Sequence, residues 1–310
     1  MSQITNHIMM IRPVAFRYNE QTATNNYYQR ILGNLTFEDI QNKALLEFNN
    51  FVDKLRNSGV NVVVFSDTTD PETPDSIFPN NWISFHSNST VCLYPMYAEN
   101  RRQERRKDIL DSLVDKYSFL IESRKDFTDF ESEDRFLEGT GSMVLDRKNK
   151  ICYAALSIRT NKLIVLEFCN EFGYKPVLFT ANQDVAGKRM RIYHTNVMMC
   201  VADSFAIICL EAIDNQIEKE CVIKMLTETG KEIIEITEDQ KNRFAGNMLQ
   251  IMGDKSYLVM STSAHRSLTD FQKKAIKKHC SILHSSLDTI EACGGGSARC
   301  MIAEIFLLKE

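Results

Sequence analysis

Cys300 closes the run Cys293-Gly294-Gly295-Gly296-Ser297-Ala298-Arg299-Cys300 and leads into the apolar stretch Met301 to Leu308. Three consecutive glycines suit neither a helix nor a strand. They suit a loop whose backbone passes close to something small. A thiolate delivered by such a loop to the mouth of a strand is placed to act as a nucleophile. His194, ahead of an apolar run, is a candidate acid/base. Glu138, flanked by Gly139 and Gly141 that permit close packing, is a candidate carboxylate. These three groups are the parts needed for attack on an sp² carbon with loss of an amine. They lie far apart in sequence, so only the fold can bring them together.

The elements that would do so recur. A polar residue precedes an apolar strand, a short polar turn follows, and a second apolar strand returns. The pattern runs from Asn81 to Pro95, from Ser142 to Leu156, from Asn196 to Leu210 and from Asn247 to Met260, with hairpin-like turns. A fifth copy has one strand at the C-terminus, Met301 to Leu308, whose expected partner is the N-terminal run His7 to Phe16. The lead residues Asn81, Ser142, Asn196, Asn247 and Cys300 are spaced by 61, 54, 51 and 53 residues by subtraction. A period in the fifties, with one helix per unit, predicts a radial repeat as in propellers. The helices are expected over Thr36 to Asn57, Arg102 to Tyr117, Asn161 to Phe172, Ile217 to Thr229 and Ser267 to Lys278. In a radial arrangement the lead residues point at one axis.

Composition narrows the function. With 44% hydrophobic and 25% charged residues over 310 positions, the chain reads as a soluble globular enzyme. A net charge of −4 and a pI near 5.9 argue against a nucleic-acid surface. No run of eighteen apolar residues predicts a membrane span. The opening residues lack the basic and apolar regions of a signal peptide. Nine cysteines without a C-x-x-C pair predict reduced thiols and a cytoplasmic location. Histidines without H-E-x-x-H spacing argue against a bound metal, and no glycine-rich phosphate loop occurs.

The same segments resemble the guanidino-group-modifying superfamily, the penteins: arginine deiminases, dimethylarginine hydrolases and amidinotransferases. The ending G-G-G-x-x-x-C of that superfamily matches Gly294 to Cys300. Its E-G-G-D element is matched in part by Glu138-Gly139-Thr140-Gly141, and its H-x-D element in part by His194-Thr195-Asn196. Asp75-Ser76-Ile77-Phe78 resembles the aspartate segment of dimethylarginine hydrolases. Leu156-Ser157-Ile158-Arg159-Thr160-Asn161 resembles their carboxylate-binding arginine segment. Phe78-Pro79-Asn80-Asn81-Trp82 and Asn100 to Arg106 look most like the citrulline-utilisation hydrolases, or citrulline ureidases. The resemblance implies an α/β fold, a five-bladed propeller of five pseudo-repeats, as one catalytic domain over residues 1–310. It implies Cys300 as nucleophile, His194 as proton shuttle and Glu138 as the group that orients it and binds substrate nitrogen. Asp75, Asn81, Asn196, Arg159 and Arg101 are the implied substrate contacts, the two arginines gripping an amino-acid carboxylate. No cofactor is implied. The expected partner is a small amino-acid substrate, with self-association an option and no membrane or nucleic-acid partner.

Two departures from the family pattern set the substrate. Typical deiminases carry aspartates where this chain has Asn81 and Asn196, and those carboxylates grip a guanidinium. Two buried carboxylates beside a neutral ureido group would be poorly compensated, at a cost of several kcal/mol. Asparagine can accept from ureido N–H and donate to its carbonyl. The expectation is hydrolysis of citrulline to ornithine, carbon dioxide and ammonia. The alternatives are an arginine deiminase or other guanidino hydrolase, an amidinotransferase, and a catalytically dead protein that binds ureido amino acids.

Overall fold

Four times along the chain a tight turn opens onto a short strand that folds back as a hairpin, and a fifth turn leads into the last strand, which pairs with the first. The computed structural model describes residues 2–309. The N-terminal strand β1 (His7–Arg12) pairs in parallel with β2 (Asn61–Ser66), in register Ile8↔Val62. A parallel partner requires a crossover, supplied here by the helix Phe37–Asn57. Thr36 and Asp39 form a capping box at its start, and Ile40, Ala44, Phe48, Phe51 and Leu55 make its buried stripe. That spacing is what an amphipathic helix on a sheet needs.

The next units repeat this plan with the hairpin first. Strands β3 (Ile83–Phe85) and β4 (Thr90–Leu93) are antiparallel, and β5 (Ser123–Asp126) joins β4 in parallel after the helix Lys107–Asp115. Strands β6 (Val144–Asp146), β7 (Ile151–Ala155) and β8 (Lys175–Phe179) do the same around the helix Lys162–Phe172. A two-stranded excursion, β9 (Asn182–Val185) with β10 (Lys188–Arg191), interrupts the series. Strands β11 (Met199–Val201), β12 (Phe205–Ile208) and β13 (Glu232–Glu235) enclose the helix Gln216–Glu228. Strands β14 (Leu249–Met252), β15 (Ser256–Ser261) and β16 (Ser281–Ser285) enclose the helix Asp270–Lys277. Last, β17 (Ala303–Glu304) lies antiparallel to β1, with Ile8 opposite Glu304. The two ends of the chain thus complete one three-stranded sheet, β17-β1-β2.

The result is an α/β fold with five three-stranded sheets of one topology, none closed on itself. The first strand of each sheet is buried but for Met252 at the end of β14, while the third is partly exposed, as in β5 and β13. First strands of neighbouring units adjoin: β17 lies beside β3, β6 beside β11, and β11 beside β14. Apolar clusters fill the spaces between units. No helix among the described residues is long and apolar enough to cross a membrane.

Two expectations need correction. The C-terminal stretch Met301 to Leu308 contributes only Ala303–Glu304 as a strand. Its partner ends at Arg12, because Pro13 has no N–H to continue the ladder. The helix expected over Arg102 to Tyr117 is broken, with one turn over Glu99–Arg102 and a second helix over Lys107–Asp115. Two arginines of this segment are tied to the protein rather than left in solvent. Arg105 makes a bidentate ion pair with Glu131 at 2.6 and 3.0 Å, and Arg102 donates to the Met96 carbonyl.

The helix Asp288–Gly294 delivers the glycine loop, and its first turn is held by a distant residue. The carboxylate of Glu47 accepts from the backbone N–H groups of Thr289 at 2.8 Å and Ile290 at 3.0 Å. Such a cap satisfies donors that otherwise go unmet. Glu47→Ala is expected to destabilise the protein by about 1–2 kcal/mol, read as a Tm lower by several degrees. An unchanged Tm would show that the cap contributes nothing.

Candidate active site

Each lead residue sits at the end of a tight turn whose chain reversal drops it at the mouth of its buried strand. Asn81 ends the 3-10 turn Pro79–Asn81, and Ser142 ends the helical turn Gly139–Ser142. Asn196 lies in the 3-10 turn Thr195–Val197. The N–H of Asn247 returns to the Phe244 carbonyl, and that of Cys300 to the Ser297 carbonyl at 2.9 Å. The turns bring residues from different units together. Asn196 Nδ2 lies 3.5 Å and Asn247 Nδ2 3.2 Å from Cys300 Sγ. All three side chains are buried.

The glycine loop passes close to protein groups. A Cβ on Gly294 or Gly296 would lie 2.7–2.8 Å from the ring of Phe78. Gly295 has φ +62°, a conformation that favours glycine, and a Cβ there would strike the amide of Asn26. Tyr193 fixes the loop from the other side, its hydroxyl donating to the Gly295 carbonyl at 2.7 Å. The glycines therefore serve the packing of Phe78 and Asn26 against the loop that carries Cys300.

His194 Nε2 is 2.7 Å from Glu138 Oε2, and both side chains are buried. Burial alone would raise the Glu138 pKa. The charge of Arg159, the hydrogen bond from His194 and the more distant Arg101 outweigh it and hold the carboxyl well below its usual range. Burial pushes His194 down to about 4 against the pull of Glu138, with Arg159 and Arg101 adding to the drop. The resting pair is thus a carboxylate and a neutral imidazole. An ionised carboxylate only accepts, so Nε2 carries the hydrogen and Nδ1 keeps a lone pair. Nδ1 is the open base, and it adjoins Gly141: a Cβ there would be 2.8 Å from it and against Asn81 Nδ2.

Arg159 is buried between the rings of Tyr193 and Tyr97. It reaches Glu138 at 3.4 Å, Asn25 Oδ1 at 2.7 Å and the Thr22 carbonyl at 2.7 Å. Arg101 has other partners than the substrate carboxylate expected of it. Nε and Nη2 make a bidentate pair with Glu104 at 2.7 and 2.9 Å, Nη2 also meets the Phe78 carbonyl, and Nη1 donates to Asn81 Oδ1 at 2.7 Å. A guanidinium only donates, so the Asn81 amide is fixed with Oδ1 toward Arg101. Its Nδ2 lies 3.1 Å from Asn80 Oδ1 and faces the His194 side. Arg101 thereby holds the Asn81 amide in one orientation. Asp75 is buried, with Oδ2 accepting from Asn19 and Thr22 and Oδ1 without a partner. Its burial raises its pKa, with Arg101, Asn19, Thr22 and Arg159 pulling back.

Sequence reasoning missed the segment Asn19 to Gln29, which supplies Asn19, Thr22 and Asn25 to Asp75 and Arg159 and packs Asn26 and Gln29 onto the Gly294 carbonyl. It carries no periodic apolar signal. Asn247 also lies beside Cys300, and its lead position in the repeat marks it in the sequence. Among the described residues no group of three or more His, Cys, Asp or Glu side chains is arranged to hold a metal.

A model of the family described as N,N dimethylarginine dimethylhydrolase, eukaryotic, matches residues 12–307. A search of curated proteins gave no match. Among solved structures, ArgZ, an arginine dihydrolase from the ornithine-ammonia cycle in Cyanobacteria, is similar with a TM-score of 0.73 and 16% identity, covering 96% of this chain and 40% of that chain. The chain thus spans less than half of that protein. The N-terminal domain of ArgZ bound to product gives a TM-score of 0.73 at 16% identity over 98% of each chain. A cysteine-to-serine mutant of the DDAH of Pseudomonas aeruginosa, complexed with citrulline, gives 0.68 at 15% identity, covering 98% of this chain and 100% of that one. At these identities the likeness is one of fold.

Gly141→Ala places a methyl group against Asn81 and His194 and must displace one of them. Turnover is expected to fall by about a hundredfold, the cost of displacing a reacting group by roughly 1 Å, with a Tm loss of only a few degrees. Wild-type turnover in the variant would mean that this contact does not set the chemistry.

Proposed function

The chain belongs to the eukaryotic N,N-dimethylarginine dimethylhydrolase family, within the pentein superfamily of C–N hydrolases, and from that premise we propose that it hydrolyses the ureido group of citrulline to ornithine, carbon dioxide and ammonia. The observation that carries this reading is the set of neutral amides around the sulfur. Asn196 and Asn247 lie against Cys300 Sγ, and Asn81 shows Nδ2 to the site because Arg101 holds its oxygen. A guanidinium carries only donors, whereas a ureido group offers a carbonyl that accepts. A cation brought among amide donors without a facing carboxylate would lose its hydration for little return, at several kcal/mol. Glu138 does not supply that carboxylate, being committed to His194 and Arg159.

In this reading Nδ1 of His194 takes the proton of the Cys300 thiol, and the thiolate adds to the ureido carbon. The imidazolium, stabilised by Glu138, gives its proton to the amine that leaves. Water, deprotonated by the same Nδ1, then cleaves the S–C bond and restores the thiol. The carbamic acid so formed breaks down to carbon dioxide and whichever of the two amines, ammonia or ornithine, did not leave in the first step. Arg159 uses three of its five N–H groups on protein and turns the other two to the substrate carboxylate. The unpartnered Oδ1 of Asp75 suits the substrate ammonium. The five sheets are then the blades of a five-bladed propeller, with the lead residues at its axis.

Restoring charge at the two asparagines tests the reading. Asn81→Asp combined with Asn196→Asp should lower citrulline turnover and strengthen competitive inhibition by arginine by about tenfold or more, the weight of one charge-assisted bond. Cys300→Ala should lose activity by more than about a thousandfold, while Cys293→Ala should keep it. Wild-type protein that already binds arginine as tightly as citrulline would defeat the ureido reading.

A further inference from the structure

We infer that Asn247 is a catalytic residue that favours the thiolate form of Cys300 by donating an amide N–H to its sulfur. The inference rests on the reading of Cys300 as nucleophile. Asn247 is fully buried just before β14, and each polar atom of its side chain has a defined partner. Oδ1 accepts from the backbone N–H of Arg299 at 3.1 Å and of Cys300 at 3.4 Å. Backbone N–H groups only donate, so the amide cannot be reversed. Nδ2 therefore faces the Asn196 carbonyl at 3.0 Å and Cys300 Sγ at 3.2 Å. One hydrogen serves the carbonyl and the other the sulfur.

The other groups near the sulfur are less direct. Asn196 is farther away, with Nδ2 at 3.5 Å and Oδ1 at 3.9 Å. The charge of Arg299 is paired with Glu304 at 2.8 Å, and the Tyr193 hydroxyl is committed to Gly295. His194 and Glu138 hold each other. A hydrogen bond to a charged acceptor is about twice as strong as one to a neutral acceptor, so the Asn247 N–H stabilises thiolate more than thiol. Each pH unit of that preference raises the thiolate fraction about tenfold and lowers its intrinsic reactivity about threefold. The gain wins.

The test is the rate of Cys300 alkylation by iodoacetamide as a function of pH, located by peptide mass spectrometry, in wild type, Asn247→Ala and Asn247→Asp. The midpoint should move up by about one to two pH units in Asn247→Ala. It should move further in Asn247→Asp, whose second oxygen would face the sulfur. An unchanged midpoint in a folded variant overturns the inference, whatever the change in Tm. If Asn247→Ala does not fold, Asn247→Asp, which keeps the shape and the Oδ1 contacts, decides. The titration needs no substrate. A shifted midpoint in a protein that hydrolyses no ureido or guanidino compound sinks the proposed function and leaves this hydrogen bond standing. An unchanged midpoint beside intact citrulline turnover does the reverse.

Discussion

A carboxylate with no exposure to water is tolerated only when donors surround it, and Glu138 is such a group. It accepts from His194 at 2.7 Å, from the Tyr97 backbone N–H at 3.0 Å and from Arg159 at 3.4 Å. Those donors come from three stretches of chain: after β4, after β7 and before β11. Removing one partner of a buried ion pair typically costs about 3–5 kcal/mol, so the charge ties three repeats to one geometry. The tie extends outward, because Arg159 also holds Thr22 and Asn25. The segment that covers the site is thus fastened to the same charge that orients the imidazole.

A second buried ion pair sets the other wall. Arg101 and Glu104 are three residues apart and both buried. What Arg101 has left over fixes the Asn81 amide. A lone asparagine could present either end of its amide to a ligand; with Arg101 beside it, only the N–H end is available. Asn247 is held in the same way by the backbone N–H groups of Arg299 and Cys300. Two amides whose orientation is forced by donors they cannot refuse face a sulfur and an open imidazole nitrogen. The polarity of the site is therefore set by its supporting contacts as much as by the residues that line it.

Much of this was legible in the sequence for physical reasons. The hairpins announce themselves because their first strands are mostly buried and rich in apolar residues, as in Met198 to Val201. The helices Phe37–Asn57 and Lys162–Phe172 carry side-chain caps and apolar stripes that the sequence displays. The third strand β5 was not legible, since it reads Ser-Arg-Lys-Asp and lies mostly in solvent. The role of Arg101 was hidden as well. A charge run looks the same whether it faces water or meets Glu104 and Asn81 across the fold. The Asn19 to Gln29 segment is polar and aperiodic, and its order comes from Asp75, Arg159 and Gly294, all remote in sequence.

In the proposed reading, neutral amides around Cys300 select a neutral ureido carbon over a charged guanidinium one. The most direct measurement is initial ammonia release by the wild-type protein from citrulline and from arginine at matched concentrations. Steady release from citrulline and little from arginine is expected. Release from arginine at the greater rate would contradict that reading.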